Sequence, residues 1–313
     1  MDLTKDFLMT QPALPVMLAG LGAYKTTGLE NTMKITFWGT RGSIASPGPD
    51  TVLYGGNTTC LEITLSSGRT VVIDAGTGIR NLGDSLLKRG AALDIHMLMT
   101  HVHWDHLMGM PFFGPLFRDD CRITLDGWAK GFEGLKAVFI GKHIDGTWPI
   151  GFDAINARVE QRQRLPHGVL ELDGTTVKAH PLQHPQGGMG FRFSQDSGTF
   201  VFLTDNELTD DGWKGCRFSD FVAFCRDADV LVHDCQYLPE EMEMRKGWGH
   251  SDVQSVAGLA VEAGVRKLVL FHHDPWRTDE AVSEMAARCK GIVEELGANV
   301  EVDAAREGAT ITV

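Results

Sequence analysis

The segment "DIHMLMTHVHWDH", residues 94–106, constrains this chain more than any other, because an apolar run leads straight into His101, His103, Asp105 and His106. A short apolar run bounded by turn residues predicts a buried strand, here ending at Thr100, with the four polar side chains in the loop past its carboxyl end. Loops carried by such a scaffold are common seats of chemistry. His101 and His103, two positions apart in extended chain, aim at one point, and Asp105 and His106, after a turn, aim at a second. Imidazole nitrogen and carboxylate oxygen are the donors that borderline divalent ions such as zinc take up. A solvated polar loop would explain one histidine; it does not explain four ligand-type residues within six positions.

Further strand signals fall at 34–39, 60–65, 70–76, 121–127, 175–182, 190–195, 199–205, 228–234, 267–273 and 309–313, with helical periodicity at 79–89, 214–226, 251–264 and 278–296. "SGRT" and "DSG" read as hairpin turns between neighbouring strands. The strands come in two successive groups, each followed by helices, an order that suits two sheets packed face to face with helices outside. With 43% hydrophobic residues the chain can bury such a core.

Residues 1–32 read as an N-terminal extension and 33–313 as the body. "PALPVMLAGLGAY" is too short to span a bilayer and follows Asp2, Lys5 and Asp6 where a signal peptide has a basic region, so no membrane association is expected. Six widely spaced cysteines without a Cys-x-x-Cys pair read as reduced thiols in a cytoplasmic protein. The formal charge of -12 disfavours bulk nucleic acid as a partner, while a small charged substrate stays open.

"THVHWDH" resembles the HxHxDH signature of the metallo-β-lactamase fold superfamily. The resemblance implies an α/β, four-layer αββα sandwich of two mixed β-sheets with helices on both outer faces. It also implies two divalent metal ions, zinc by donor type, with manganese or iron as alternatives. The family places a later histidine, an aspartate and a last histidine after successive strands, and "LQHPQGG", "FVFLTDNE" and "KLVLFHHDP" supply them in order. His101, His103 and His184 would then hold one ion, Asp105, His106 and His272 the other, and Asp205 would bridge. Alternation along the 267–273 strand sends one of His272 and His273 away from the site, and the family's strand-His-x-x-Pro ending favours His272. Asp74, after "VVID", corresponds to an aspartate that orients the metal loop.

"ADVLVHDCQYLPEE" and "GWGHSDVQSV" resemble the RNase Z and cyclic-phosphate phosphodiesterase branch, which pairs a carboxylate with a histidine at a helix start. Here these are Asp234 and His250, with Asp105 the third catalytic position. An anion beside an imidazole suits it to contact a phosphate or protonate a leaving alkoxide. The competing reading makes His250 a bystander to a helix capped by Ser251. RNase Z usually has Glu at the position of Asp234, which shortens the reach. His184 and Asp205 are only 21 positions apart, too few for a long tRNA-gripping arm.

The expected function is therefore a dinuclear hydrolase of a small, possibly cyclic, phosphodiester, using a hydroxide shared by the metals. A glyoxalase II-like thioester or lactone hydrolase and a noncatalytic metal-dependent binding protein are the alternatives. An iron redox role is disfavoured because oxygen-reducing relatives carry Glu where His103 stands. The Gly-rich "GTRGSIASPG" loop places Arg41 as a candidate phosphate contact. Phe112, Phe113, Trp128, Phe139 and Trp148 belong to the core, a cleft wall or a homodimer face.

Overall fold

The computed structural model describes residues 32–128, 130, 154–165, 168–210 and 213–313. Residues 1–31 of the N-terminal extension, Phe139 and Trp148 lie outside them. Among the described residues, Lys34–Gly39 (β1), Cys60–Thr64 (β2), Thr70–Ile73 (β3), Leu93–Met99 (β4), Cys121–Gly127 (β5) and Arg158–Gln161 (β6) build one sheet, which Thr310–Thr312 at the chain's end joins beside β1. Val169–Leu172 (β7), Thr175–Pro181 (β8), Met189–Gln195 (β9), Gly198–Leu203 (β10), Val230–Asp234 (β11), Lys267–Phe271 (β12) and Glu301–Ala304 (β13) build the second; Thr310–Thr312 is β14.

The two sheets follow one plan. In the first, the β14-β1-β2-β3 pairs are antiparallel and β3-β4-β5-β6 parallel. In the second, β7 to β10 pair antiparallel and β10 to β13 parallel.

Period-two alternation divides each strand between two layers. Phe200 and Phe202 of β10, with Val269 and Phe271 of β12, face Phe37, Ile63, Val71 and Ile73 across the middle of the sandwich. Their neighbours Val201, Leu203, Leu268 and Leu270 turn outward, onto the helices Phe218–Cys225 (α2), Val253–Glu262 (α4) and Asp279–Glu295 (α5). On the other side Val72, Ile95, Met97 and Met99 meet Ile79–Lys88 (α1) through Ile79, Leu82 and Leu86. A short helix, Met242–Arg245 (α3), lies between α2 and α4. This is the αββα sandwich, and each large side chain fully buried in it stabilises the fold by about 1.5–3 kcal/mol.

β6, β7 and β13 carry no clear strand signal in the sequence, and all three are sheet edges. Their residues, such as "RVEQ" and "EVDA", are charged and partly exposed because an edge buries less and discourages further pairing. No helix among the described residues is long and apolar enough to cross a membrane. All six cysteines are buried and free, and burial pushes the Cys60 and Cys235 thiols well up, which suits packing instead of nucleophilic chemistry.

Candidate metal centre

The parallel strands end on one edge of the sandwich, and the residues just past those ends converge there. Asp74 follows β3, His101 to His106 follow β4, Asp205 follows β10 and His272 follows β12. Asp74, Asp205 and His272 all take left-handed backbone angles, with φ of 60°, 57° and 55°. Such conformations cost about 1–3 kcal/mol each for a non-glycine residue and cluster where function fixes the backbone.

Two donor sets result. His101, His103, His184 and Asp205 each bring a ligand-type atom within 4.8 Å of the others, and so do Asp105, His106, Asp205 and His272. Asp205 belongs to both. Its Oδ2 lies 3.6 Å from His101 Nε2 and 3.9 Å from His184 Nε2, while its Oδ1 lies 3.2 Å from both His106 Nε2 and His272 Nε2. Asp105 Oδ2 is 3.2 Å from His272 Nε2 and also accepts the Ser43 backbone N–H at 2.9 Å.

Each histidine is held by the nitrogen it turns away from the cluster. His106 donates Nδ1–H to Asp74 Oδ2 at 2.8 Å. Asp74 also accepts the Thr100 N–H at 2.8 Å and the Thr100 hydroxyl at 2.6 Å. With that hydroxyl proton committed, Thr100 Oγ1 accepts from His101 Nδ1 at 3.1 Å. His184 Nδ1 donates to the Gly249 carbonyl at 3.1 Å, His103 Nε2 to Gln186 Oε1 at 2.7 Å and His272 Nδ1 to Gln236 Oε1 at 3.3 Å. Partners of this kind fix the tautomer and orient ligating histidines.

The donors fit a pair of cations. The inward nitrogens His101 Nε2 and His106 Nε2 are buried without a hydrogen-bond partner. His103 Nδ1 and His184 Nε2 face each other at 3.0 Å, although each ring spends its proton on its other nitrogen. Two lone pairs at that distance repel unless a cation lies between them. Burial, reinforced by neighbouring histidines, drives His101 well down, and burial takes His184 to about 4, so both rings offer lone pairs at neutral pH. Burial alone would raise Asp105 and Asp205, yet the surrounding imidazoles together outweigh it and hold both carboxyls well below their usual range.

Of the two adjacent histidines, His272 turns into the cluster. His273 donates Nε2–H to the Ala305 carbonyl at 2.9 Å, and burial lowers it to about 3.

Two close approaches depend on glycine. A Cβ on Gly42 would lie 2.3 Å from His272 Nδ1, and one on Gly249, at φ 89°, would lie 2.0 Å from His184 Nδ1.

His250 is nearly buried, stacks on His272 with ring centroids 4.9 Å apart, and meets the Tyr237 ring edge-on. Its Nδ1 lies 3.6 Å from Asp234 Oδ2, too far for a hydrogen bond. Asp234 spends its hydrogen bonds on backbone: Oδ1 accepts from Asn206 N and Oδ2 from Ser251 N, both at 3.0 Å. It thereby braces the loop after Asp205 against the one after His250. The cap of α4 is Asp252, whose side chain accepts from Gln254 N and Ser255 N, and not Ser251. Ser251 donates its hydroxyl to the Asn206 carbonyl instead.

Arg41 requires a correction. Its guanidinium is wholly buried and donates to the carbonyls of Gly55, Asp274 and Arg277 at 2.9–3.2 Å, so it clamps two loops together and is not available as a phosphate contact. Phe113 packs in the core against α1, whereas Phe112 is exposed. Sequence reasoning missed Glu207, a buried carboxylate accepting from Gly247 N and Gly249 N and so fixing the turn that holds His184. The Gly-Trp-Gly before His250 was its one visible trace.

Comparison with known proteins agrees with this geometry. Over 279 residues the chain is 26% identical to Ribonuclease Z of Kineococcus radiotolerans, covering 77% of this chain and 85% of the relative. It is 24% identical over 287 residues to Ribonuclease Z of Archaeoglobus fulgidus, covering 76% and 86%. Its fold is similar to that of the metallo-beta-lactamase fold protein YhfI from Bacillus subtilis, with a TM-score of 0.66, 17% identity, and coverage of 90% of this chain and 100% of that one.

These ribonuclease relatives overturn the expectation that bulk nucleic acid is an unlikely partner. Net charge sums the whole surface, whereas a polyanion at a cleft meets the local field there. Residues 69–273 match the family described as Beta-lactamase superfamily domain. The chain belongs to that superfamily, and within it resembles the ribonuclease Z branch.

Proposed function

We propose that this chain is a metal-dependent phosphoric diester hydrolase working with two divalent cations, zinc by donor type. The two donor sets sharing Asp205 carry the reading, since one carboxylate facing both sets suits a pair of ions about 3.5–4 Å apart. His101, His103 and His184 would hold one ion, Asp105, His106 and His272 the other, with Asp205 between. When bound, such a pair lowers the pKa of water and stabilises charge developing on a phosphoryl oxygen.

The chain's own residues supply the rest. Asp105, fixed by the Ser43 N–H, receives the attacking water's proton at its carboxylate. His250, stacked on His272 and 3.6 Å from Asp234, gives a proton to the leaving oxygen. Asp234 keeps that ring in place by bracing the Ser251 backbone.

The ribonuclease relatives bring RNA into the substrate range. A small ester is favoured by one further observation: β9 and β10 fill the stretch between His184 and Asp205, leaving no arm there to grip a large substrate.

The test is hydrolysis by zinc- and manganese-loaded protein of bis-p-nitrophenyl phosphate, cyclic nucleotides, a 3′-extended RNA and S-lactoylglutathione. Turnover of phosphodiesters alone supports the reading, and turnover of the thioester alone supports the glyoxalase II-like alternative. Two retained metals with no turnover of any ester would mark a binding protein. His250→Ala is expected to keep its metals and to slow poor leaving groups most; equal slowing of all leaving groups counts against a proton donor.

A further inference from the structure

Ser43 follows β1 and stands beside the donor set of Asp105 and His272 in a costly backbone shape. The Ile44 N–H returns to the Gly42 carbonyl at 2.6 Å, which closes a γ-turn with Ser43 at its tip, at φ 61°. A γ-turn with positive φ is rare and strained for any residue except glycine. Two bonds hold the turn in place: Gly42 N donates to the His273 carbonyl and Ser43 N to Asp105 Oδ2, both at 2.9 Å. Serine keeps a conformation here that glycine would take freely, so its side chain needs a reason.

The hydrogen-bond directions around Ser43 supply one. His272 turns Nε2 toward Asp205 and donates Nδ1–H to Gln236 Oε1. An amide carries its protons on the other atom, so the buried Gln236 offers Nε2–H to Ser43 Oγ, 3.3 Å away. Ser43 therefore accepts that bond, and its own hydroxyl proton is left over; among the described residues no acceptor is placed to take it. Only a few bonds separate this hydroxyl from the nitrogen held by Asp105. Because Ser43 is exposed, the spare donor is open to an incoming molecule at the edge of the candidate metal centre.

We propose that Ser43 contacts the substrate, its hydroxyl donating a hydrogen bond to a non-bridging oxygen of the phosphoryl group, with Gln236 setting the direction of that bond. The proposal rests on the phosphoric diester hydrolase reading above. The spare group is a donor, so it selects an acceptor, and a phosphoryl oxygen drawn to two cations is an anionic one. A hydroxyl bound to an oxyanion is about twice as strong a partner as in a neutral pair. A donor preset by the fold also needs no rearrangement as negative charge develops. The strain of the turn is then the means by which the hydroxyl is kept at the cleft.

The experiment compares the metal-loaded full-length chain with Ser43→Gly and Ser43→Ala. Calorimetric titration with inorganic phosphate gives affinity, elemental analysis gives metal content, and turnover of bis-p-nitrophenyl phosphate gives kcat/KM. Both variants should bind phosphate about tenfold more weakly and lose a similar factor in kcat/KM, with parent-like metal content. Ser43→Gly should do so while melting at or above the parent temperature, because glycine relieves the turn; a purely structural serine would not part function from stability in this way. Parent-like phosphate affinity in both variants overturns the contact, as does a parent that binds no phosphate. A loss that follows departure of a metal also overturns it, since Ser43 would then act through Gln236 on His272. Weaker phosphate binding in the variants, with no diester cleaved by the parent, keeps the contact and removes the catalytic reading. Equal diester turnover and equal phosphate affinity in all three proteins do the reverse.

Discussion

His106 Nδ1 and Asp74 Oδ2 lie 2.8 Å apart with both side chains wholly buried, and the same carboxylate receives the hydroxyl proton of Thr100. One aspartate that touches no candidate cation position thus sets the tautomer of His106 directly and of His101 through Thr100. Asp74→Asn should weaken metal affinity roughly 10–100-fold, the usual cost of losing a partner behind a ligating histidine. Competition against a chromogenic chelator checks this, and parent-like affinity would refute it.

Gly249→Ala should disturb the His184 position, since the new Cβ meets the imidazole at 2.0 Å and the backbone is left-handed. Elemental analysis is expected to show about one metal lost per chain, with the helical content by circular dichroism kept. Gly258→Ala, within α4 and with open space around it, is the control. It should raise stability by about 0.5–1 kcal/mol, because alanine has the higher helix propensity and a smaller unfolded-state entropy. Equal metal content in both variants would refute the steric account.

Arg41→Lys should destabilise the fold and leave substrate affinity alone. Lysine cannot span the carbonyls of Gly55, Asp274 and Arg277, and each buried hydrogen bond from a charged donor contributes about 1.5–3 kcal/mol. Thermal unfolding would show the loss. A large rise in KM at unchanged melting temperature would restore Arg41 to the substrate.

His96 on β4 gives a pH signature. Burial first, then the charges of Arg69 and Arg164, lower its pKa to about 4. Between pH 6.5 and 4 the unfolded chain binds this proton and the folded chain does not, so stability falls as pH falls, at up to about 1.4 kcal/mol per unit. Below pH 4 this contribution levels off. His96→Gln should flatten that part of the pH–stability curve, as read by chemical denaturation; an unchanged slope would show that other groups dominate.

Much of the site is written in local patterns. His101 to His106 announce themselves by density, and His184, Asp205 and His272 by standing past successive apolar strands; the structure brings them together. Glu207, Gln236 and Thr100 left no comparable trace, because each acts through hydrogen bonds to residues distant in sequence or to ordinary backbone groups. Arg41 was misread for a related reason: nothing in "GTRGS" tells whether a guanidinium faces ligand or carbonyls. The central strands were legible because two buried faces demand apolar residues, whereas β6, β7 and β13, at the edges, carry no such requirement.

The likeness of the two sheets has a mechanical consequence. His101 to His106 hang from one and His184, Asp205 and His272 from the other, so neither half alone owns a complete donor set. Any cation held by Asp205 together with His101 or His106 rivets the halves across their apolar seam, and part of its binding energy reappears as resistance to their parting. Chelators should loosen the sandwich before heat does.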